Sequence, residues 1–177
     1  MLSAKTYSIS LVFQKESQEF INQLVAEIAS ATGNPYRIAL QVPPHITIAM
    51  YKADGQRRAL LAEKVEAFAA DFEPFSFTFE KYDTFKGKTL YLVPDNDGCQ
   101  KLNKLNLNIH SALASAFLPG CNGQYLPENY FPHLTVASGL SQNQISIGKE
   151  VINKSFKNRA VVLENVNLSL SNLFLHK

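Results

Sequence analysis

The chain has 177 residues, 46% of them hydrophobic and 18% charged, with a formal net charge of +2. This composition is typical of a globular chain with a core of its own and excludes a disordered or fibrous protein. No apolar run approaches the roughly 20 residues of a membrane-spanning helix, so we expect no membrane partner. The net charge is too small to indicate nucleic-acid binding by itself.

Alternating and helical hydrophobic patterns divide the chain into short strands and amphipathic helices. In chain order, the patterns predict a strand at 6–13, a helix at 16–31, a strand at 45–51, a helix at 57–72, strands at 75–79 and 89–93, a helix at 99–117, a strand at 133–137, a helix from 141, and strands at 159–163 and 166–170. We expect a hairpin turn at 86–88 and a capping box formed by Ser141 and Gln144. This order predicts an α+β fold with much antiparallel pairing.

The two cysteines, Cys99 and Cys121, do not form a Cys-x-x-Cys pair. We expect both to be reduced thiols of a soluble cytoplasmic protein. The first residues lead directly into a strand pattern, so we predict no targeting peptide. No linker or low-complexity tract interrupts the sequence, and residues 1–177 are therefore predicted to form a single domain. No obligate protein partner is inferred.

One hexamer occurs twice, at residues 44–49 (Pro-His-Ile-Thr-Ile-Ala) and at residues 132–137 (Pro-His-Leu-Thr-Val-Ala). Proline, histidine, threonine and alanine are identical in register, and each of the other two positions exchanges one aliphatic residue for another. Such a match within one chain is the signature of an internal repeat. We therefore expect two halves related by a pseudo-two-fold axis.

Strand alternation gives this repeat a chemical meaning, because residues two apart point to the same face. His45 and Thr47 should therefore project together, as should His133 and Thr135, and the alanine that ends each hexamer should follow on the same face. Two imidazoles and two hydroxyls in one cleft suit a phosphodiester: one neutral histidine accepts a proton, and the other, protonated, donates one to the leaving oxygen. The threonine hydroxyls donate to the phosphate oxygens. This chemistry requires neither a cofactor nor a metal, and a two-histidine metal site lacks further ligands at suitable spacing.

With these paired motifs the sequence resembles the 2H phosphoesterase superfamily, also called the 2′-5′ RNA ligase-like or cyclic phosphodiesterase family. The resemblance extends over essentially the whole chain, and Phe131 before the second motif also fits. It implies a bilobal fold in which two mainly antiparallel sheets with flanking helices surround a central cleft. It also implies that His45 and His133 are the acid–base pair and that Thr47 and Thr135 bind phosphate.

The activities implied by the resemblance are hydrolysis of 2′,3′-cyclic phosphates, cleavage of 2′-5′ linkages and reversible joining of RNA ends in RNA processing. The partner would be an RNA terminus or a nucleotide. Two alternatives stay open: a non-catalytic module that binds an RNA end or a nucleotide, and a metabolic cyclic-nucleotide phosphodiesterase. Which histidine is the acid depends on substrate orientation. The sequence departs from the family at Ser138-Gly139, where an Arg or Lys often follows the second motif.

Aromatic residues near the motifs are candidates for stacking on a base. Tyr51 is expected in phase with His45, Tyr130 and Phe131 flank the second motif, and Tyr91 lies in a predicted strand. The alternative for each is core packing.

Other residues extend the candidate site. Lys86 and Lys88 either contact a phosphate backbone or form a solvated turn. The loops at 37–43, 86–88 and 121–129 are expected to carry specificity. Of the remaining histidines, His110 is predicted to serve helix packing or lie at the surface, and His176 to be disordered.

Overall fold

The computed structural model describes residues 4–156 and 159–170. The strands are β1 (Lys5–Phe13), β2 (His45–Ala53), β3 (Phe75–Phe77), β4 (Phe79–Phe85), β5 (Thr89–Pro94), β6 (Leu118–Pro119), β7 (Leu134–Ala137) and β8 (Val161–Leu170). The helices are α1 (Lys15–Thr32), α2 (Tyr36–Ala39), α3 (Arg57–Ala70), α4 (Asn96–Leu113) and α5 (Gln142–Ser155). Within these residues, no helix has both the length and the apolar character to cross a membrane.

Two sheets form the framework, one of five strands in the order β3-β8-β1-β2-β6 and one of three in the order β4-β5-β7. Neighbouring strands are antiparallel in both sheets. Helices α3 and α4 pack against β8 and β2 of the larger sheet, whereas α1 and α5 pack against each other and against β7 and β5 of the smaller sheet. The predicted α+β class with two antiparallel sheets and flanking helices is confirmed.

The helix ends follow local sequence signals. Helix α1 ends at Gly33, whose φ of 67° is the left-handed conformation that glycine adopts without steric penalty. Helix α5 begins with the predicted capping box, in which the Ser141 hydroxyl accepts from the Gln144 amide and the Gln144 side chain accepts from the Ser141 amide. Helix α4 ends at Leu113, earlier than predicted, because the following residues return to pair with β2 as β6.

The single strand predicted at 75–79 is wrong, because the chain changes sheets at Thr78. Phe77 pairs with β8 of the five-stranded sheet, whereas Phe79 pairs with β5 of the three-stranded sheet. Between them, the Thr78 amide and hydroxyl donate to the Asp95 carboxylate at 2.9 and 2.6 Å. Asp95 also caps α4 by accepting from the Gly98 amide at 2.8 Å. The crossing point is therefore fixed to the start of α4.

The two strands predicted at 159–163 and 166–170 are one continuous strand, β8. Val12 of β1 pairs with Asn165 and Phe13 pairs with Leu163, so Glu164 is an extra residue in the ladder. A β-bulge of this kind interrupts the alternation of faces without ending the strand. The alternation in the sequence therefore breaks at 164–165, and two strands are predicted where the structure has one.

Candidate active site

Strands β2 and β7 lie next to each other where the two sheets meet. Each carries one copy of the repeated hexamer, and a single cleft of about 990 Å³ is lined by His45 and Thr47 of the first copy and by His133 and Thr135 of the second. All four side chains are half-buried. The fold therefore brings together the four residues that the repeat singled out.

A β-bulge follows the threonine of the first motif. Ser10 of β1 pairs with Thr47 of β2, but the preceding residue Ile9 pairs with Ala49, so Ile48 is an extra residue. A one-residue shift exchanges the two faces of a strand. The residues after the bulge therefore point to the face opposite to that predicted by simple alternation.

The second motif contains a bulge at the same place. Tyr91 of β5 pairs with Thr135 of β7, but the preceding residue Leu90 pairs with Ala137, which leaves Val136 extra. The two copies of the hexamer thus share their backbone irregularity as well as their side chains. This agreement supports the pseudo-two-fold relation of the two halves.

The bulges explain one wrong prediction. Met50 and Ser138, each two residues after the extra residue of its bulge, line the cleft. The prediction that Tyr51 shares the face of His45 is wrong, because Tyr51 is 1% exposed and packs in the core. Ala49 is fully buried as well, so it does not continue the polar face. A register shift is set by the partner strand and leaves no mark in the alternation of β2 itself.

Both motif histidines are held in the same way. Nδ1 of His45 lies 2.8 Å from the carbonyl oxygen of Pro43, and Nδ1 of His133 lies 2.8 Å from that of Phe131, in each case two residues earlier. A carbonyl oxygen can only accept, so Nδ1 carries the proton in both rings. Nε2 is then the nitrogen that can exchange a proton with a substrate.

Aromatic rings surround His133. Its ring centroid lies 4.9 Å from that of Phe85 and 5.6 Å from that of Tyr91, both edge-on, and 6.2 Å from that of Phe131, which is stacked. Burial in this cluster lowers the pKa of His133 below its usual value of 6.5, against the opposing effect of the hydrogen bond to Phe131. His133 is therefore biased towards its neutral form.

Hydroxyl groups surround the first motif. The Thr47 hydroxyl lies 3.2 Å from the Ser10 hydroxyl on the neighbouring strand. Tyr125, a residue of the loop before the second motif, lines the same cleft as Thr47, and the Thr47 hydroxyl acts on its phenol. Burial raises the pKa of Tyr125 to about 12, although the effect of Thr47 is in the opposite direction. Ser10, Thr47 and Tyr125 all line the cleft.

The family model of the 2′-5′ RNA ligase superfamily matches residues 13–173 of this sequence. The chain belongs to this superfamily, the 2H phosphoesterases. No curated protein matches the chain in sequence.

Solved structures share the fold. Usb1 of Kluyveromyces marxianus superposes with a TM-score of 0.57 at 7% identity, covering 96% of each chain. LigT of E. coli complexed with phosphate gives 0.53 at 10% identity, covering 99% of this chain and 92% of LigT. LigT complexed with 3′-AMP gives 0.53 at 12% identity, covering 95% and 88%. The resemblance inferred from the paired motifs is confirmed.

In this 2H phosphoesterase the aromatic candidates are placed differently from one another. Phe131 is 43% exposed and lines the cleft. Tyr91 is 5% exposed and stacks on Phe85 with ring centroids 4.0 Å apart, so it is a buried member of the cluster around His133. Tyr130 packs against the core, and its buried hydroxyl has no hydrogen-bond partner among the residues that the structure describes. Tyr51 and Tyr130 therefore lie outside the cleft surface.

All three suspected loops contribute to the cleft. Gln41, Lys86 and Asn122 line it and have positive φ values of 51°, 50° and 51°. Such conformations in residues other than glycine store strain, which concentrates at functional sites. Of the two lysines at the hairpin tip, Lys86 lines the cleft, whereas Lys88 is exposed outside its lining.

Of the other two histidines, one lies within the described residues and one lies outside them. His110 is 5% exposed on α4, which confirms helix packing, and His176 lies outside the described residues. No group of three or more His, Cys, Asp or Glu side chains within the described part of the chain is arranged to hold a metal ion.

Sequence reasoning missed several residues of the cleft. Ser10 lies on the polar face of the alternating β1 pattern and could have been found from it. Phe85 lies at the end of β4, outside the strand predicted at 75–79, so the alternation of that strand does not include it. Tyr125 lies in a loop without periodicity, and no sequence signal distinguishes it from the neighbouring Tyr130.

Proposed function

We propose that this 2H phosphoesterase cleaves 2′,3′-cyclic phosphate or 2′-5′ phosphodiester bonds of RNA ends or nucleotides by metal-independent acid–base catalysis with His45 and His133. The observation that carries the proposal is the matched pair of Nδ1 hydrogen bonds, to Pro43 and Phe131, in one cleft. These bonds fix the orientation and tautomer of each imidazole. Both rings are therefore prepared for proton transfer through Nε2.

We assign the general base to His133. Its aromatic surroundings favour the neutral imidazole, which is the form that can take a proton from the attacking water or hydroxyl. His45 then supplies the proton to the leaving oxygen. The reverse reaction, joining of ends, exchanges these roles.

Thr47 and Thr135 bind the non-bridging oxygens of the phosphate and stabilise the charge of the transition state. Phe131, exposed beside His133, offers a ring on which a base stacks. Lys86 at the rim of the cleft contacts a neighbouring phosphate. The structures of LigT complexed with phosphate and with 3′-AMP support a ligand of this chemistry.

The test is turnover, in the presence of EDTA, of 2′,3′-cyclic mononucleotides, a short RNA ending in a 2′,3′-cyclic phosphate and a 2′-5′-linked dinucleotide. We expect His45→Ala and His133→Ala each to lose at least about a hundredfold in kcat, the usual contribution of a positioned acid or base. Lys88→Ala is the control, since Lys88 lies outside the cleft lining. Circular dichroism and melting curves show that the variants are folded.

The preferred substrate separates an enzyme of RNA ends from a metabolic cyclic-nucleotide phosphodiesterase. Binding of the oligonucleotide without turnover of any substrate would instead favour the non-catalytic module. Turnover that depends on a metal, or that persists in both histidine variants, would contradict the proposed mechanism.

A further inference from the structure

The hydroxyl cluster around Thr47 goes beyond what the two motifs require. Thr47 interacts with the Ser10 hydroxyl, and the phenol of Tyr125, on which the Thr47 hydroxyl acts, belongs to the same cleft lining. Each hydroxyl can donate one hydrogen bond and accept others, so the cluster can reorient when an anion arrives. Thr47 and Tyr125 both line the cleft, so both hydroxyls are available as donors to an anion bound there.

A clamp built by α4 holds the backbone of Tyr125. Its carbonyl oxygen accepts from Nδ2 of Asn106 at 2.8 Å and from Nε2 of His110 at 2.7 Å. The same Asn106 nitrogen donates to the carbonyl of Ile48, the extra residue of the β2 bulge, at 2.7 Å. Asn106 thus connects Tyr125 directly to the strand that carries Thr47.

The clamp continues into the core. Since Nε2 of His110 donates to a carbonyl, its Nδ1 is the acceptor, and the Tyr51 hydroxyl donates to it over 2.5 Å. Burial lowers the pKa of His110, which keeps this arrangement of donors and acceptors at neutral pH. The position of one loop residue, Tyr125, is therefore fixed by three buried side chains: Tyr51, Asn106 and His110.

We propose that the Tyr125 hydroxyl is a third hydrogen-bond donor to the phosphate in the cleft, beside Thr47 and Thr135, and that Asn106 and His110 are its positioning residues. This inference rests on the proposed function, because it assigns a role within the same site. A pKa of about 12 keeps the phenol protonated at neutral pH, as a donor must be. The protonated phenol adds a donor without adding charge to the cleft.

The test compares Tyr125→Phe with Tyr130→Phe. Both substitutions remove one phenolic hydroxyl and keep the ring, but the Tyr130 hydroxyl has no hydrogen-bond partner within 4–156 and 159–170. We expect Tyr125→Phe to reduce kcat for a 2′,3′-cyclic mononucleotide by about a hundredfold, as loss of a transition-state donor does, and to raise KM, because the bound phosphate also loses a donor in the ground state. Tyr130→Phe should leave both parameters as they are. Equal kinetics in the two variants would overturn the inference.

A second measurement is independent of turnover. Titration with 3′-AMP and with inorganic phosphate should give weaker binding to Tyr125→Phe than to Tyr130→Phe. If the native protein turns over no substrate, the proposed function fails, and this titration alone decides the inference: weaker binding supports a phosphate donor, and equal binding overturns it.

The positioning role is tested by a double-mutant cycle. His110→Gln should reduce kcat in the native background but have little further effect in the Tyr125→Phe background, because residues acting as one unit are not additive. Purely additive effects would contradict the assignment of His110 as a positioning residue. A folding defect is recognised in the same cycle, since it would reduce the active fraction equally in both backgrounds.

Discussion

Asn106→Ala tests how strongly α4 ties the first motif to the loop before the second. Asn106 is 1% exposed, and its amide donates to the carbonyls of Ile48 and Tyr125. Each net hydrogen bond contributes about 1 kcal/mol, and leaving a buried carbonyl short of a donor adds to the loss. We therefore expect the free energy of unfolding to fall by about 2 to 3 kcal/mol relative to a matched control.

The control is Asn103→Ala on the exposed face of the same helix. Both substitutions replace asparagine by alanine inside α4, so the gain in helix propensity, about 0.6 kcal/mol, cancels in the comparison. Urea denaturation measures the difference, and melting should show Tm lower by about 5 to 10 °C for Asn106→Ala than for Asn103→Ala. A difference below about 0.5 kcal/mol would refute the reasoning. It would mean that the hydrogen bonds of Asn106 are worth no more than the hydrogen bonds that the same groups make with water.

Three further predictions use other parts of the molecule. In the pH profile, kcat/KM should fall on the acid side as His133 becomes protonated, at a pH below 6.5. Phe131→Ala should shift this acid limb to higher pH, because it admits water to the imidazole ring. An acid limb that does not move would show that another group titrates. Ser141→Ala should destabilise the protein by about 1 kcal/mol in urea, whereas Ser141→Asp, which keeps a cap acceptor, should not; equal effects would exclude the capping box as their cause. Tyr51→Phe should destabilise the protein by about 1 to 2 kcal/mol because it removes a buried donor to His110, whereas Tyr130→Phe should be neutral, and a neutral Tyr51→Phe would contradict the clamp.

The repeated hexamer was enough to predict where the cleft lies, because it combines a local pattern with an internal match. The long helices were predicted for a similar reason: their apolar residues recur at a regular spacing, and Gly33 and Ser141 mark their ends. Such features are written in neighbouring residues. They therefore do not depend on contacts with distant parts of the chain.

The errors have a common physical origin in contacts between distant segments. The face of Tyr51 depends on how β2 pairs with β1, and the break at Thr78 depends on a carboxylate at the start of α4. The position of Tyr125 depends on two side chains of α4. None of these partners is adjacent in sequence, so periodicity alone could not predict them.

The arrangement of the helices has a consequence for how the molecule folds. Helix α1 leaves the five-stranded sheet after β1 but packs on β7 of the other sheet, whereas α4 leaves the three-stranded sheet after β5 but packs on β2. Each sheet is therefore covered in part by a helix that directly follows a strand of the other sheet. Neither sheet can complete its core before both have assembled, so we expect a single cooperative folding transition dominated by contacts of long sequence separation. Turnover at the cleft between β2 and β7 would then report the folded state of the whole chain.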